Sequence, residues 1–254
     1  MFRLLSKMYM KKASGAAFTF ILFVALSSVL VQFVSPYAND LRGAVHLESG
    51  GQHPSLKHWF GTDAAGRDLF TLTIYAGLSS LKVAIAVVLL SVVIGVPIGM
   101  FSGASNKNTD EVLMRIVDGF LAFPPLMLPL IITSVLGPSL NNVIIGISMS
   151  WFPWYVRIAR SQAMIILSSG YVSVSKSMGA GKLHIIKNHI FPNSIGPFLV
   201  QGTIDAGYAI LTAAGLSFIG LGARHPEVEW GCCLLNHAHN SLITGGRCSS
   251  LGCL

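Results

Sequence analysis

The sequence predicts an all-α polytopic membrane protein, and three observations carry that reading. Of its 254 residues, 52% are hydrophobic and only 11% are charged, against about 25% charged in an ordinary soluble domain. Mean hydropathy is +0.65. The apolar runs are continuous rather than alternating, and several are long enough to cross a bilayer, which takes roughly 20 residues per helix. Lipid offers no hydrogen bonds, so a spanning backbone must be a helix or a closed barrel, and unbroken runs select helices.

Residues 1–15 carry Arg3, Lys7, Lys11 and Lys12 without an acid and are expected to form a cytoplasmic N-terminus. Residues 16–34 contain no charge and make the first span. That run exceeds the roughly 7–15-residue core of a cleaved signal and lacks a clear small-x-small cleavage site. Residues 35–80 form an extracytoplasmic loop, with Asp40, Arg42, Glu48, His53, Lys57, Asp63, Arg67 and Asp68 along it. The second span is 83–101, with Pro97 near its end, and a polar loop follows at 103–111.

No charge occurs from 119 to 156. One helix cannot use so long a run, and GPSLNN at 137–142 supplies a turn between a third and a fourth span. Pro124, Pro125 and Pro129 would break the hydrogen-bond ladder of the third span, which is tolerated where neighbouring helices or a water-lined cavity re-satisfy the carbonyls. Arg157 and Arg160 close the membrane region, the loop 157–193 follows, and 195–221 is a fifth span interrupted by Asp205. A helical membrane core is thus expected over 81–222, and 223–254 is a polar tail without a spanning run. All four cysteines, Cys232, Cys233, Cys248 and Cys253, lie in that tail, at spacings that fit no zinc pattern.

The net charge of +7 does not indicate a nucleic-acid partner, because the basic residues lie singly between spans and form no basic face. They report topology instead. With the N-terminus inside, the cytoplasmic segments hold Arg3, Lys7, Lys11, Lys12, Lys107, Arg115, Arg157, Arg160, Lys176, Lys182 and Lys187, and the outer ones hold Arg42, Lys57, Arg67, Arg224 and Arg247. That asymmetry obeys the positive-inside rule and puts 157–193 in the cytoplasm.

No catalytic motif is present. The stretch GAGKL at 179–183 lacks the G-x-x-x-x-G-K-[ST] phosphate loop, so the chain is expected to hydrolyse no nucleotide itself. His46, His53 and His58 are candidate metal ligands or simply solvated loop histidines. Asp118 is expected to pair with Arg115 at a helix end. Asp205, with Pro124 and Pro125, marks either a transport pathway or inter-helix hydrogen bonding, since ionisable groups within spans are costly. The segment 171–193, YVSVSKSMGAGKLHIIKNHIFPN, reads as helix, glycine turn, helix. Leu183, Ile186 and Ile190 fall on one helical stripe, with Lys182 and Lys187 off it. Such a helix can seat in a partner's groove or lie on the lipid surface.

These residues resemble a known family. Gly179-Ala180 followed by HIIKNHIFPN is similar to the cytoplasmic "EAA" loop of permease subunits of binding-protein-dependent ABC importers. HWFGTDAAGRDLF at 58–70 resembles the signature of the peptide and nickel branch, with Gly61, Thr62, Asp63, Gly66, Arg67 and Asp68 at its fixed positions. LSFIGLG at 216–222 and EWG at 229–231 also match that branch. The resemblance covers roughly residues 14 to 231 and looks like the second permease subunit of a dipeptide, oligopeptide or nickel importer. It implies a type I permease of six helices in the bacterial inner membrane, paired with a second permease, two ATP-binding subunits and an extracytoplasmic solute-binding protein. ATP is then bound by the partners and the chain itself holds no cofactor.

On this resemblance the coupling loop comprises Ser173, Ser175, Gly179, Ala180, Gly181, Leu183, Ile186, His189 and Pro192, and it seats in a cleft of one ATPase. Two departures stand out. Ser173, Val174 and Ser175 occupy the E-A-A positions, so the acidic residue is missing. After EWG the family continues into a sixth span where this chain becomes Cys-rich, which leads us to expect five spans and an out-of-frame or truncated end. Two rivals are a self-contained secondary transporter, which would show paired broken helices in an internal repeat, and a non-functional remnant.

Overall fold

In a computed structural model, residues 12–223 and 227–235 are described. They form eight helices: α1 (Lys12–Val34), α2 (Leu69–Gly103), α3 (Lys107–Leu121), α4 (Met127–Leu136), α5 (Leu140–Leu167), α6 (Gly170–Ser177), α7 (Lys182–Ile185) and α8 (Phe191–Phe218). Short 3-10 turns occupy Ala38–Arg42 and Leu47–Ser49, and a π turn at Ile186–Ile190 joins α7 to α8. A further helical stretch covers 230–235. The expectations for residues 1–11 and for the tail beyond 235, including Cys248 and Cys253, lie outside the described residues.

The chain divides into two compact units, Met1–Lys82 with Ala223–Leu254, and Val83–Gly222. In the first, α1 meets the start of α2 through small and hydroxyl side chains. Ser28 donates to the carbonyl of Ile74 at 2.7 Å, and the hydroxyls of Ser35 and Thr71 lie 2.9 Å apart. Leu72, Ala76, Val228 and Cys233 make its small core, with Leu41 and Trp230 packed against it. The rest of α1 is bare: only 6% of its apolar window is buried.

α2 differs from expectation at its start. The apolar run places the second span from Val83, yet the helix begins at Leu69 and runs 35 residues. Asp68 explains this: its Oδ2 accepts from the Thr71 backbone N–H at 2.8 Å and the Thr71 hydroxyl at 2.7 Å, an N-cap that starts the helix fourteen residues early.

The third span is also corrected. The chain folds there as α3, a break around Pro124 and Pro125, and the 10-residue α4. At 1.5 Å per residue α4 spans only about 15 Å. Two adjacent prolines supply no N–H and disfavour helical geometry in the residue before each, so the ladder stops rather than kinks. Pro129 is tolerated in the first turn of α4. The expected polar loop at 103–111 shrinks likewise, because its second half is the first turn of α3.

Among the described helices, Gly15–Val34 and Leu69–Gly103 are long and apolar enough to cross a membrane. α5 and α8, each 28 residues, reach about 42 Å, beyond the roughly 30 Å of hydrocarbon, and carry more polar residues.

The second unit is organised on α5. Gly95, Gly99 and Gly103 form a small-residue stripe on α2 that lies against it. A Cβ on Gly95 would come within 2.7 Å of the Tyr155 Cβ, and one on Gly103 within 2.9 Å of the Ala163 Cβ. A Cβ on Gly99 would overlap the carbonyl oxygen of Val156. Small residues let backbones approach where lipid supplies no hydrophobic drive between helices. Around this contact Val96, Met100, Tyr155, Ala159 and Phe198 form one core cluster, while Val83, Val87, Val143, Ile147 and Ala213 form another.

Candidate functional site

The glycine-broken segment folds as a helix, a turn and a helix. α6 ends at Ser177. Met178 and Gly179 make the turn, where Gly179 holds φ +86, a left-handed conformation that costs any other L-residue about 1–2 kcal/mol. Gly181 then precedes α7 in extended geometry. Nothing lies within 4 Å of where a Cβ on Gly179 would sit, so the turn's tip faces open space.

The apolar stripe differs from the one the spacing suggested. Leu183 is 78% exposed, whereas Ile185 and Ile190 are buried and Ile186 is only half-buried. The π turn is the reason. Its i→i+5 ladder brings residues five apart onto one face, so Ile185 and Ile190 replace Leu183 as anchors in the core with Val172 and Ala163. The outward face carries Tyr171, Val174, Met178 and Leu183, all exposed, beside exposed Lys176, Lys182 and Lys187.

Ser173 is exposed, and Ser175 stands 3.2 Å from the His189 ring. This hydroxyl–imidazole contact ties α6 to the π turn. Ala180 packs at the rim of the core, and Pro192 follows the π turn in a backbone that stays helical from 182 to 218, where its missing N–H leaves the Asn188 carbonyl without an i+4 donor.

Behind the loop, two charge pairs join α3 to α5. Arg160 donates from Nε and Nη2 to the two oxygens of Asp110, both at 2.6 Å, and Ser102 donates to Asp110 at 2.6 Å. Asp118 accepts from Arg157 at 2.6 Å, which corrects the expected Asp118–Arg115 pair. Arg115 bonds Glu111 one turn back instead, at 2.8 Å, the i, i+4 arrangement favoured on a helix.

Asp205 is half-buried on α8. It accepts from the Tyr155 hydroxyl of α5 at 2.7 Å and from Gln201 at 2.9 Å, so both oxygens are engaged and the residue fastens two helices. Pro124 and Pro125 are exposed in the link before α4.

The loop between α1 and α2 is built around carboxylates. Asp63 Oδ1 accepts the backbone N–H groups of Ala65 and Arg67, each at 2.9 Å. Its Oδ2 takes Arg67 Nε at 2.7 Å and Nη2 at 2.6 Å. Asp68 caps α2 and stands 3.0 Å from the His58 ring, while Asp40 receives the Asp68 N–H at 2.8 Å and lies 3.1 Å from His46. Gly61 is buried, as is Thr62, whose hydroxyl accepts from the Gln52 N–H at 2.8 Å. Gly66 is required: a Cβ there would overlap the carbonyl of His46. The histidines considered as metal ligands resolve differently. His46 and His58 each pair with an aspartate, and His53 is exposed.

Glu229 is 1% exposed, and its Oε1 finds no donor among the described residues. Burial, with the charge of Glu227, pushes its pKa up to about 7 from an ordinary 4.5. Since the folded value is the higher, the native state holds a proton that the unfolded chain has lost between these values. Stability therefore falls as pH rises from 4.5 to 7 and is flat above. Glu229→Gln removes this slope, which thermal melts of the purified protein from pH 5 to 8 will show. Burial also raises both nearby thiols, Cys233 to about 12, so neither is a ready nucleophile.

Comparison with known proteins gives a family and a fold. Residues 95–232 match the family model described as the binding-protein-dependent transport system inner membrane component. The chain is 38% identical over 228 residues to the probable D,D-dipeptide transport system permease protein of Escherichia coli (strain K12), covering 90% of this chain and 76% of that one. It is 35% identical over 228 residues to the nickel transport system permease protein of the same strain, covering 90% and 81%. A solved structure of the inward-facing MetNI methionine ABC transporter superposes with a TM-score of 0.55 at 16% identity, covering 70% of this chain and 91% of that one. The last comparison shows a shared fold.

Proposed function

The chain belongs to the family of binding-protein-dependent transport system inner membrane components, and from that premise we propose that it moves peptides across the bacterial cytoplasmic membrane. As a member it is a permease of an ABC importer and not an enzyme; ATP is hydrolysed in partner subunits. The observation that carries the reading is the family match itself, which spans the glycine-broken loop between α5 and α8. Peptide is preferred to nickel on the higher identity to the D,D-dipeptide permease.

In the arrangement we propose, α1, α2, the α3–α4 pair, α5 and α8 provide five spans, with the N-terminus inside. The chain pairs with a second permease, two ATP-binding subunits and an extracytoplasmic solute-binding protein. The exposed turn at Met178–Leu183 enters a cleft of one ATPase, and the buried Ile185 and Ile190 carry its displacement into the core. Asp205 and Tyr155 lie along the resulting path. The loop is thus one face of a two-state element whose balance is set by nucleotide in the partner.

The test is to express the chain with the transport genes beside it and isolate the complex. Co-purification of an ATPase, with ATP-dependent uptake of a labelled dipeptide into vesicles, supports the reading. Uptake of nickel but not dipeptide moves the substrate to the metal, and transport by the chain alone overturns the assignment.

A further inference from the structure

The outer end of α1 forms a cleft that the transport reading does not use. Its volume is about 690 Å³, within the roughly 300–1,000 Å³ typical of small-molecule sites. Leu30 and Val34 of α1, Phe70 and Ile74 of α2, and Trp59 from the intervening loop line it, with Lys57 and Tyr37 at its rim. The walls are fixed by contacts of their own. Trp59 meets Phe70 at a tilt, 5.0 Å between ring centres, Tyr37 meets His58 likewise at 4.8 Å, and the Tyr37 hydroxyl donates to the Lys57 carbonyl at 3.1 Å.

Position decides what medium this cleft opens into. Ser27 to Val34 are the last two turns of a helix whose flanks are bare hydrocarbon: Phe23 is 67% and Phe33 82% exposed. The cleft therefore lies within about 10 Å of the end of a membrane-spanning helix, at the depth of the headgroup–acyl boundary. Its rim has the composition of that boundary, a tryptophan, a tyrosine and an exposed lysine. On the same rim Leu56 is 99% exposed, a side chain that water would not favour and lipid would.

We propose that this cleft is a binding site for one bilayer phospholipid. An acyl chain lies between α1 and α2 against Leu30, Phe70 and Ile74. The phosphate sits at the Lys57 ammonium, and Trp59 and Tyr37 bracket the glycerol region. An apolar cavity that faces lipid is filled by the solvent around it, and the lysine gives the filling a preferred headgroup charge. The site rests on α1 crossing the membrane, and the experiment below checks that separately.

The assembled transporter is reconstituted into vesicles of phosphatidylethanolamine and phosphatidylglycerol, a small fraction of the latter bearing a diazirine on its acyl chain. Photo-adducts are mapped by mass spectrometry. Labelling at Leu30, Val34, Phe70 and Ile74 is expected to exceed that at Phe20 and Phe23, which face bulk lipid, by at least fivefold. Ile74→Trp, which fills the cleft, should cut labelling at Leu30 and Val34 fivefold and leave Phe20 and Phe23 unchanged. Lys57→Glu, at an exposed position, should lower cleft labelling by the anionic probe but not by a diazirine phosphatidylcholine. Cleft labelling no higher than at Phe23 in the unsubstituted protein, or unaltered by both variants, overturns the proposal. Absence of labelling at Phe20 and Phe23 as well would instead remove α1 from the membrane.

Discussion

Gly179→Leu abolishes uptake while leaving membrane insertion and helix content intact: this is the result expected if the turn between α6 and α7 seats in an ATPase. At φ +86 the substitution strains the backbone by about 1–2 kcal/mol, a modest part of the roughly 5–15 kcal/mol that keeps a protein folded. It causes no internal clash, because nothing lies within 4 Å of the new Cβ. The isobutyl group is instead added to an outward surface where Met178 is already 84% exposed. Gly179→Ala separates the two effects, since it shares the strain and lacks the bulk. The alanine variant should keep ATPase co-purification and measurable uptake, and the leucine variant should lose both. Uptake by Gly179→Leu at the level of the unsubstituted protein would count against docking at this turn.

What was legible in the sequence follows from how local each signal is. The mostly helical class and the glycine turn are written in runs of adjacent residues, and the structure has both. The stripe Leu183, Ile186 and Ile190 did not, because it assumed 3.6 residues per turn across a stretch where the ladder runs i→i+5. Nothing within IIKNHI announces a π turn, although Pro192 just after it withholds an i+4 donor from the ladder; the turn leaves Ile185 and Ile190 buried in one cluster. The early start of α2 was legible in principle. Asp68 and Thr71 stand at N-cap and third-position spacing, but an apolar-run search looks past a cap to the run. The same is true of Gly95, Gly99 and Gly103, whose four-residue spacing marks close helix approach and which escape notice among apolar neighbours. The Asp118–Arg157 and Asp110–Arg160 pairs depend on the fold itself. Local spacing cannot supply a partner 39 or 50 residues away.

Arg67→Met is expected to unravel the loop between α1 and α2, and the reason also explains why the GTDAAGRD stretch needs its residue types. Asp63 is 3% exposed and Arg67 9%. Asp63 Oδ2 depends on the guanidinium, while Oδ1 is held by the backbone N–H groups of the turn it closes. Gly66 permits that turn to pass the His46 carbonyl, and Asp68 begins α2 directly after it. Removing Arg67 strands a carboxylate in a dry site, a change that costs about 3–5 kcal/mol in comparable buried pairs. For a chain of this size that lowers the melting temperature by on the order of 10 °C. The transition should appear first as protease sensitivity within residues 35–68, because the spans are held by lipid and by their own ladders. The double variant Asp63→Asn with Arg67→Met should recover much of the loss, since an amide needs no counter-charge, whereas Arg67→Lys should fall between, keeping the charge without the two-pronged geometry. If Arg67→Met instead melts within about 2 °C of the unsubstituted protein, less than 1 kcal/mol has been removed. The backbone donors at Oδ1 would then be sufficient to hold the turn.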